Sequence, residues 1–458
     1  MLAFVPEFLL VLTAIAIIFG KEFFRKDNWV PIATLWALGV AFLLRVMTFG
    51  QVKALGGLFV LNSFGWYFDL IYLGVAVAAV IFSFSVTKDR STFFSLLLIG
   101  VVGMMLLTKS RDFLALFLSV ELVALSLYSL VAFGKDEKKL EGGVKFFVLN
   151  IFASSLLIFG IGIIFAAAGS TQFAGAREAF LGNELPVFVG IVFFLAGLGF
   201  KMGIFPFNFW IPDVYQAAPV GITTLLAGAS KKAAFGASVL VFLLALSAFA
   251  PFWAGLFALL AVATLLFGHL GALWQSNFRR FMAYSIIGQS GFLMMGLAAP
   301  SALGLTGLLF HVLTHAVAVI GIFAIIAFLE SRGVFEIHGL DGLGLRSPFL
   351  AASLVIFFAS LAGIPLFAGF VSKFILFSAA IQAGQGMLAI FAIFASAISV
   401  FFYFKIARSM FVNKPSSKPL DVPMSTKCLV TISVFLILLF GLYPGPIVGF
   451  LQKAVSVL

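Results

Sequence analysis

The run Phe193–Phe207, FFLAGLGFKMGIFPF, decides how this chain is read. Its apolar residues are too continuous for one face of a soluble helix. It nevertheless carries a charge, Lys201, followed at once by Gly203 and Pro206. A lysine beside a helix break, inside apolar sequence, is the pattern expected where a membrane helix is interrupted around an ion site. A second run repeats it. Ser360–Phe374, SLAGIPLFAGFVSKF, has Gly363, Pro365 and then Lys373.

Working outward, the whole composition agrees. Of 458 residues, 63% are hydrophobic and 10% charged, with 60 Phe. A soluble domain is about half apolar and one quarter charged, so the solvent for these side chains is lipid. The single cysteine, Cys428, excludes a disulfide framework and a Cys-ligated iron–sulfur cluster, which takes about four thiolates. The net charge of +11 is read as loops facing an anionic leaflet rather than as a nucleic-acid surface. The first apolar run begins near Leu2, contains Glu7 and lacks a small-residue cleavage site, so it is read as a retained helix.

Spans of about 20 apolar residues are expected near Ala3–Gly20, Trp29–Met47, Tyr67–Val86, Thr92–Thr108, Asp112–Phe133, Val144–Ala168 and Pro186–Ile211. Others lie near Ala217–Leu246, Pro251–Trp274, Phe281–Ala298, Leu303–Glu330, Pro348–Phe377, Met387–Phe411 and Lys427–Leu451. The fold class is therefore an all-α integral membrane protein of about 14 transmembrane helices. Loops after odd-numbered spans hold most of the basic residues, among them Lys21, Lys138, Lys139, Arg279, Arg280, Lys405 and Arg408. Loops after even-numbered spans hold only Arg45, Lys53, Lys109, Arg111 and Arg177, with Lys453 in the tail. This asymmetry places both termini opposite the cytoplasm.

The chain reads as a single polytopic domain over residues 1–458. Residues 1–91 give three leading helices, 92–247 and 251–411 two five-helix repeats, and 427–458 a last helix. Each repeat has its interrupted helix in fourth place, at Gly203–Pro206 and Gly363–Pro365, and an odd number of spans makes the two inverted.

Charges inside spans cost roughly 2.5–3.5 kcal/mol each at mid-membrane, so those that occur are candidates for function. Glu121 sits centrally in LFLSVELVALSLY, and Lys231 and Lys232 in LLAGASKKAAFGA; Lys201 and Lys373 flank the breaks. The bland alternatives are snorkelling, which stays open for Lys232 and Lys373, and a structural Glu121–Lys201 pair. Burial pushes a lysine pKa down and a carboxylate pushes it up, so a lysine that changes partners exchanges protons near neutrality. His311 and His315 share a face at i and i+4 but lack the glutamate and further ligands of a metal site, and read as relay or packing groups, as does His269. His338 lies in a polar loop. GLDGLGL at Gly339–Leu345 has the wrong glycine order for a dinucleotide loop, so no cofactor is expected in this chain.

Phe200–Gly236, FKMGIFPFNFWIPDVYQAAPVGITTLLAGASKKAAFG, resembles the signature of the antiporter-like proton-translocating subunits found in respiratory complex I and in multisubunit cation/proton antiporters. Pro212–Pro219, PDVYQAAP, with Trp274–Phe292 and Ser360–Phe374, is similar to the N-type branch of that family. The likeness spans roughly residues 110–410. It implies Glu121 and Lys201 as a modulating ion pair, Lys231 as central proton carrier and Lys373 as exit-side carrier. Lys145 in EGGVKFF matches a family lysine near the cytoplasmic side. The family motif has a histidine where this chain has Asn208, while His269 and His315 stand where Asn or Ser is usual; His315 is thus a candidate for a re-routed proton line. The resemblance implies a non-redox subunit of NADH:quinone oxidoreductase in a bacterial inner membrane. Its partners would be the antiporter-like M and L and small K, J and A subunits, with quinone-binding and peripheral-arm subunits beyond. A cation/proton antiporter subunit and a subunit of a membrane-bound hydrogenase are the other readings.

Overall fold

The computed structural model describes residues 2–23, 27–86, 89–134, 136–179, 184–414 and 419–458. Among these, 12 helical stretches are long and apolar enough to cross a membrane. Helix is dictated by the solvent: in hydrocarbon every backbone N–H and C=O must be satisfied within the segment. With α1 (Val5–Phe23) and one span built in two pieces, the expected 14 are present.

The first unit comprises Met1–Gly203, Ala217–Trp253 and Lys453–Leu458. It holds α1, α2 (Val30–Met47), a hairpin of β1 (Lys53–Leu55) and β2 (Phe59–Leu61), α3 (Ser63–Phe82), α4 (Arg90–Leu107), α5 (Phe113–Val131) and α6 (Glu137–Ala168). There follow α7 (Phe173–Ala179) and α8 (Glu184–Met202), then α10 (Val220–Leu225) and α11 (Lys231–Leu240). Asn62 caps α3 through Gly65 N, and Asp112 caps α5 through the N–H groups of Leu114 and Ala115. The three leading helices pack within this unit, with α1 against α4. Helices α6 and α8 touch backbone to backbone. A Cβ on Gly160 would lie 2.4 Å from Phe194 N, and one on Gly197 2.5 Å from the Ala153 carbonyl.

The expected span Ala217–Leu246 is not a uniform α-helix. Between α10 and α11 lies a π-helical turn, Leu226–Ser230, and after α11 a second, Val241–Ala245. Single π turns of this kind recur at functional sites.

The second unit comprises Ile204–Gln216 and Ala254–Gln452. It contains α9 (Trp210–Ala217), most of α12 (Ala250–Ala272), α13 (Phe278–Ala298) and α14 (Ala302–Ser331). Next come the short α15 (Leu343–Arg346), α16 (Pro348–Ala362) and α17 (Ala368–Gln382), α18 (Gly386–Val412), α19 (Met424–Leu442) and most of α20 (Gly445–Ser456). Both expected interruptions are present. Helix α8 stops at Met202 with Gly203 at φ +64°, and the chain resumes as α9 after a cis Phe205–Pro206 bond. Helix α16 stops at Ala362 with Gly363 at φ +84°, and α17 begins at Ala368. The last expected span, Lys427–Leu451, is divided between α19 and α20.

Candidate functional site

In the first unit, the close approach of α6 and α8 decides how Lys201 is held. Its ammonium donates to Asn150 Oδ1 and, at 3.4 Å, to Ser154 Oγ, both on α6. Ser154 in turn donates to Glu121 Oε1 at 2.5 Å. The direct Lys201–Glu121 separation is 3.8 Å. The ion pair expected from sequence therefore exists, but it is bridged by a hydroxyl and shared with an amide. Neither Asn150 nor Ser154 carries a charge that would mark it in the sequence. They stand four apart in the apolar KFFVLNIFASS and so share a helix face, a pattern that gains a role only through the α6–α8 contact.

Lys231 opens α11 directly after the first π turn. It is 1% exposed, and its ammonium has no hydrogen-bond partner among the described residues. Lys232, 2% exposed, donates to the Ala227 carbonyl at 2.9 Å, five residues back in the π turn. Snorkelling, left open for Lys232, is excluded by that burial. Lys145 lies on the exposed side of α6, paired with Glu141 at 2.8 Å, and is not gathered with the buried groups.

In the second unit, the break after α16 builds the surroundings of Lys373. The last carbonyls of a helix have no intrahelical donor. Lys373 supplies one, donating to Leu361 O at 2.8 Å and Ala362 O at 3.1 Å, at the negative end of the α16 dipole. It also donates to Ser396 Oγ at 3.0 Å and lies 4.0 Å from the centroid of Phe292. At 2% exposure it too does not snorkel. Its neighbour Ser372 contacts His311 Nδ1 at 2.9 Å, and the His311 and His315 rings lie tilted against each other with centroids 6.1 Å apart. Ser372, His311 and His315 are all buried, and Phe292 packs against both His311 and Lys373. His269 contacts the Leu265 carbonyl at 2.8 Å and packs on Phe292 and Phe402. Asn208 is fully buried, and neither atom of its amide has a hydrogen-bond partner among the described residues.

Two basic residues depart from expectation. Arg45 and Lys109, expected in loops from the span boundaries, are both 0% exposed, in a cluster with Glu7 and Asp69. The reason is that each sits at a helix end facing inward, where an ion pair replaces water.

Fourteen spans, two interrupted helices and buried lysines beside the interruptions define an ion-translocating membrane subunit of the antiporter-like class. Residues 110–399 match the model of the NADH:quinone oxidoreductase/Mrp antiporter transmembrane family, and the chain belongs to it. It is 34% identical to NADH-quinone oxidoreductase subunit N of Parvibaculum lavamentivorans, covering 99% of this chain and 96% of the relative. It is likewise 34% identical to F420H2 dehydrogenase subunit N of Methanosarcina mazei, over 99% and 98%. A chain of respiratory complex I from Thermus thermophilus superposes with TM-score 0.85 at 27% identity, covering 97% and 98%.

Proposed function

We propose that this chain is the N-type proton-translocating subunit of a quinone-reducing respiratory complex and holds no redox centre itself. Electron transfer in partner subunits would drive it, through neighbours of the antiporter-like M and L and small K, J and A types. The observation that carries the reading is the Lys231 ammonium, buried in a membrane span without a hydrogen-bond partner among the described residues. An unpaired buried charge is costly, and such groups in spans mark proton relays. Glu121 with Lys201 is the pair that modulates it, Ser154 and Asn150 offering Lys201 alternative partners. Lys373, with Ser396, Ser372, His311 and His315, is the exit-side group. The excess of basic residues after odd-numbered spans supports both termini lying outside, in a bacterial inner membrane.

The equal identity to an F420H2 dehydrogenase subunit supports a second reading, in which the same chain serves another electron donor. Purification of the intact complex through a tag on this chain tests both. Copurifying NADH:quinone reductase activity, with acidification of vesicles on NADH addition, is the expected result. Sodium-driven proton exchange by the chain without any redox partner would overturn it.

A further inference from the structure

Apart from Glu121, Lys201, Lys231 and Lys232, the first unit buries a second set of charges. Glu7 on α1, Arg45 on α2, Asp69 on α3 and Lys109 just past α4 meet with side chains between 0% and 6% exposed. Arg45 Nη2 donates to both Glu7 oxygens at 2.8 Å, its Nη1 donates to the Ala3 carbonyl at 2.8 Å, and its Nε lies 2.8 Å from Asp69 Oδ2. The Lys109 ammonium donates to Glu7 Oε1 at 2.6 Å, Asp69 Oδ1 at 2.7 Å and the Met105 carbonyl at 2.9 Å. With both acids and both bases charged the cluster is electrically neutral, and the Lys109 ammonium is fully engaged by the two carboxylates and the Met105 carbonyl.

Holding four helices together does not require this. A buried ion cluster is seldom more stable than apolar side chains of the same volume. Its position is more telling. All four residues lie at one end of the bundle, near the starts of α1 and α3 and the ends of α2 and α4. That is the end the basic-residue distribution assigns to the outer face. The β1–β2 hairpin closes over it, with Val60 N bonded to Lys109 O and Arg111 N to Leu58 O, each at 2.7 Å, while Trp66 Nε1 donates to the Arg45 carbonyl at 2.7 Å. Just beneath runs the helix of Lys231. Gly236, five residues on, is so close that a Cβ there would lie 2.6 Å from Thr108 Cγ2 and 3.0 Å from Phe68. Those residues adjoin Lys109 and Asp69.

We propose that Glu7, Arg45, Asp69 and Lys109 form a proton seal across the outer end of the first unit. The proposal rests on the reading of Lys231 as a proton carrier. A proton arriving at either carboxylate would strand a cation in dry surroundings, and the Lys109 ammonium has no lone pair to accept one. A proton on Lys231 is thereby denied the short way out and leaves along the membrane plane. The same barrier stops protons returning from outside.

The test uses the whole complex in vesicles, with Asp69→Asn and the milder Glu7→Gln, which keeps shape while removing charge. The seal predicts normal quinone reduction per assembled complex, a several-fold faster collapse of an imposed pH gradient without substrate, and loss of the slowing of turnover by an accumulated gradient. Asp69→Glu should restore tightness. Adding Lys231→Ala to Asp69→Asn should return the leak to its background if Lys231 carries protons. A leak that persists would sink the Lys231 role but leave the seal. Proton-tight vesicles from both single variants, whether pumping is kept or lost, would overturn the seal. If Asp69→Asn does not assemble, Glu7→Gln alone decides by the same gradient measurement.

Discussion

At the scale of single residues, the chain uses lysine where a fixed cation would serve structure as well. Lys201 has three partners within reach, Asn150, Ser154 and Glu121, and needs to release its proton only if it does more than pair. Lys201→Arg keeps the charge but does not deprotonate at accessible pH. If Lys201 exchanges protons, Arg is almost as damaging to redox-linked pumping as Ala. Near-normal pumping in both variants would show the residue to be dispensable. His315 is tested by the same logic. His315→Gln keeps hydrogen bonding without titration, so pumping should fall in Gln as in Ala, and full pumping in Gln would make the residue structural. Glu121, Lys201, Lys231 and Lys373 were legible because a charge inside twenty apolar residues has few innocent explanations. Asn150 and Ser154 were not, because isolated hydroxyl and amide side chains are ordinary in membrane helices, and only the α6–α8 contact gives them a role.

At the scale of elements, glycine sets the distances on which the charges depend. Gly363 adopts φ +84°, and a Cβ there would lie 2.9 Å from Lys373 Cδ. Gly363→Ala should therefore cost about 1–2 kcal/mol for the left-handed backbone and displace the lysine from the α16 carbonyls. The expected outcome is a lower thermal midpoint together with weaker pumping per assembled complex; an unchanged pair of values would refute it. Gly197→Leu should push α8 from α6 and separate Lys201 from Asn150, which pumping assays should register even where assembly survives. Both helix breaks could be seen in the sequence from Gly and Pro beside a lysine. The π turns around Lys231 could not, since LLAGAS has ordinary helical composition and only packing selects the wider turn.

At the scale of the whole molecule, hydrophobicity alone delivered the class and the number of spans, because lipid leaves the backbone no alternative to helix. It failed at helix ends. Whether Arg45 and Lys109 face water or the interior turns on a residue or two of boundary and on which side of the helix they occupy, and apolar run length carries neither. Their acidic partners come from α1 and α3, up to 102 positions away in sequence. In the proposed function Lys231 carries the proton. Lys231→Ala removes that group and should leave assembly and quinone reduction measurable. In vesicles of the assembled variant, protons moved per electron should fall by about tenfold or more, consistent with loss of a positioned proton-transfer group. A normal proton-to-electron ratio in that variant would contradict the account.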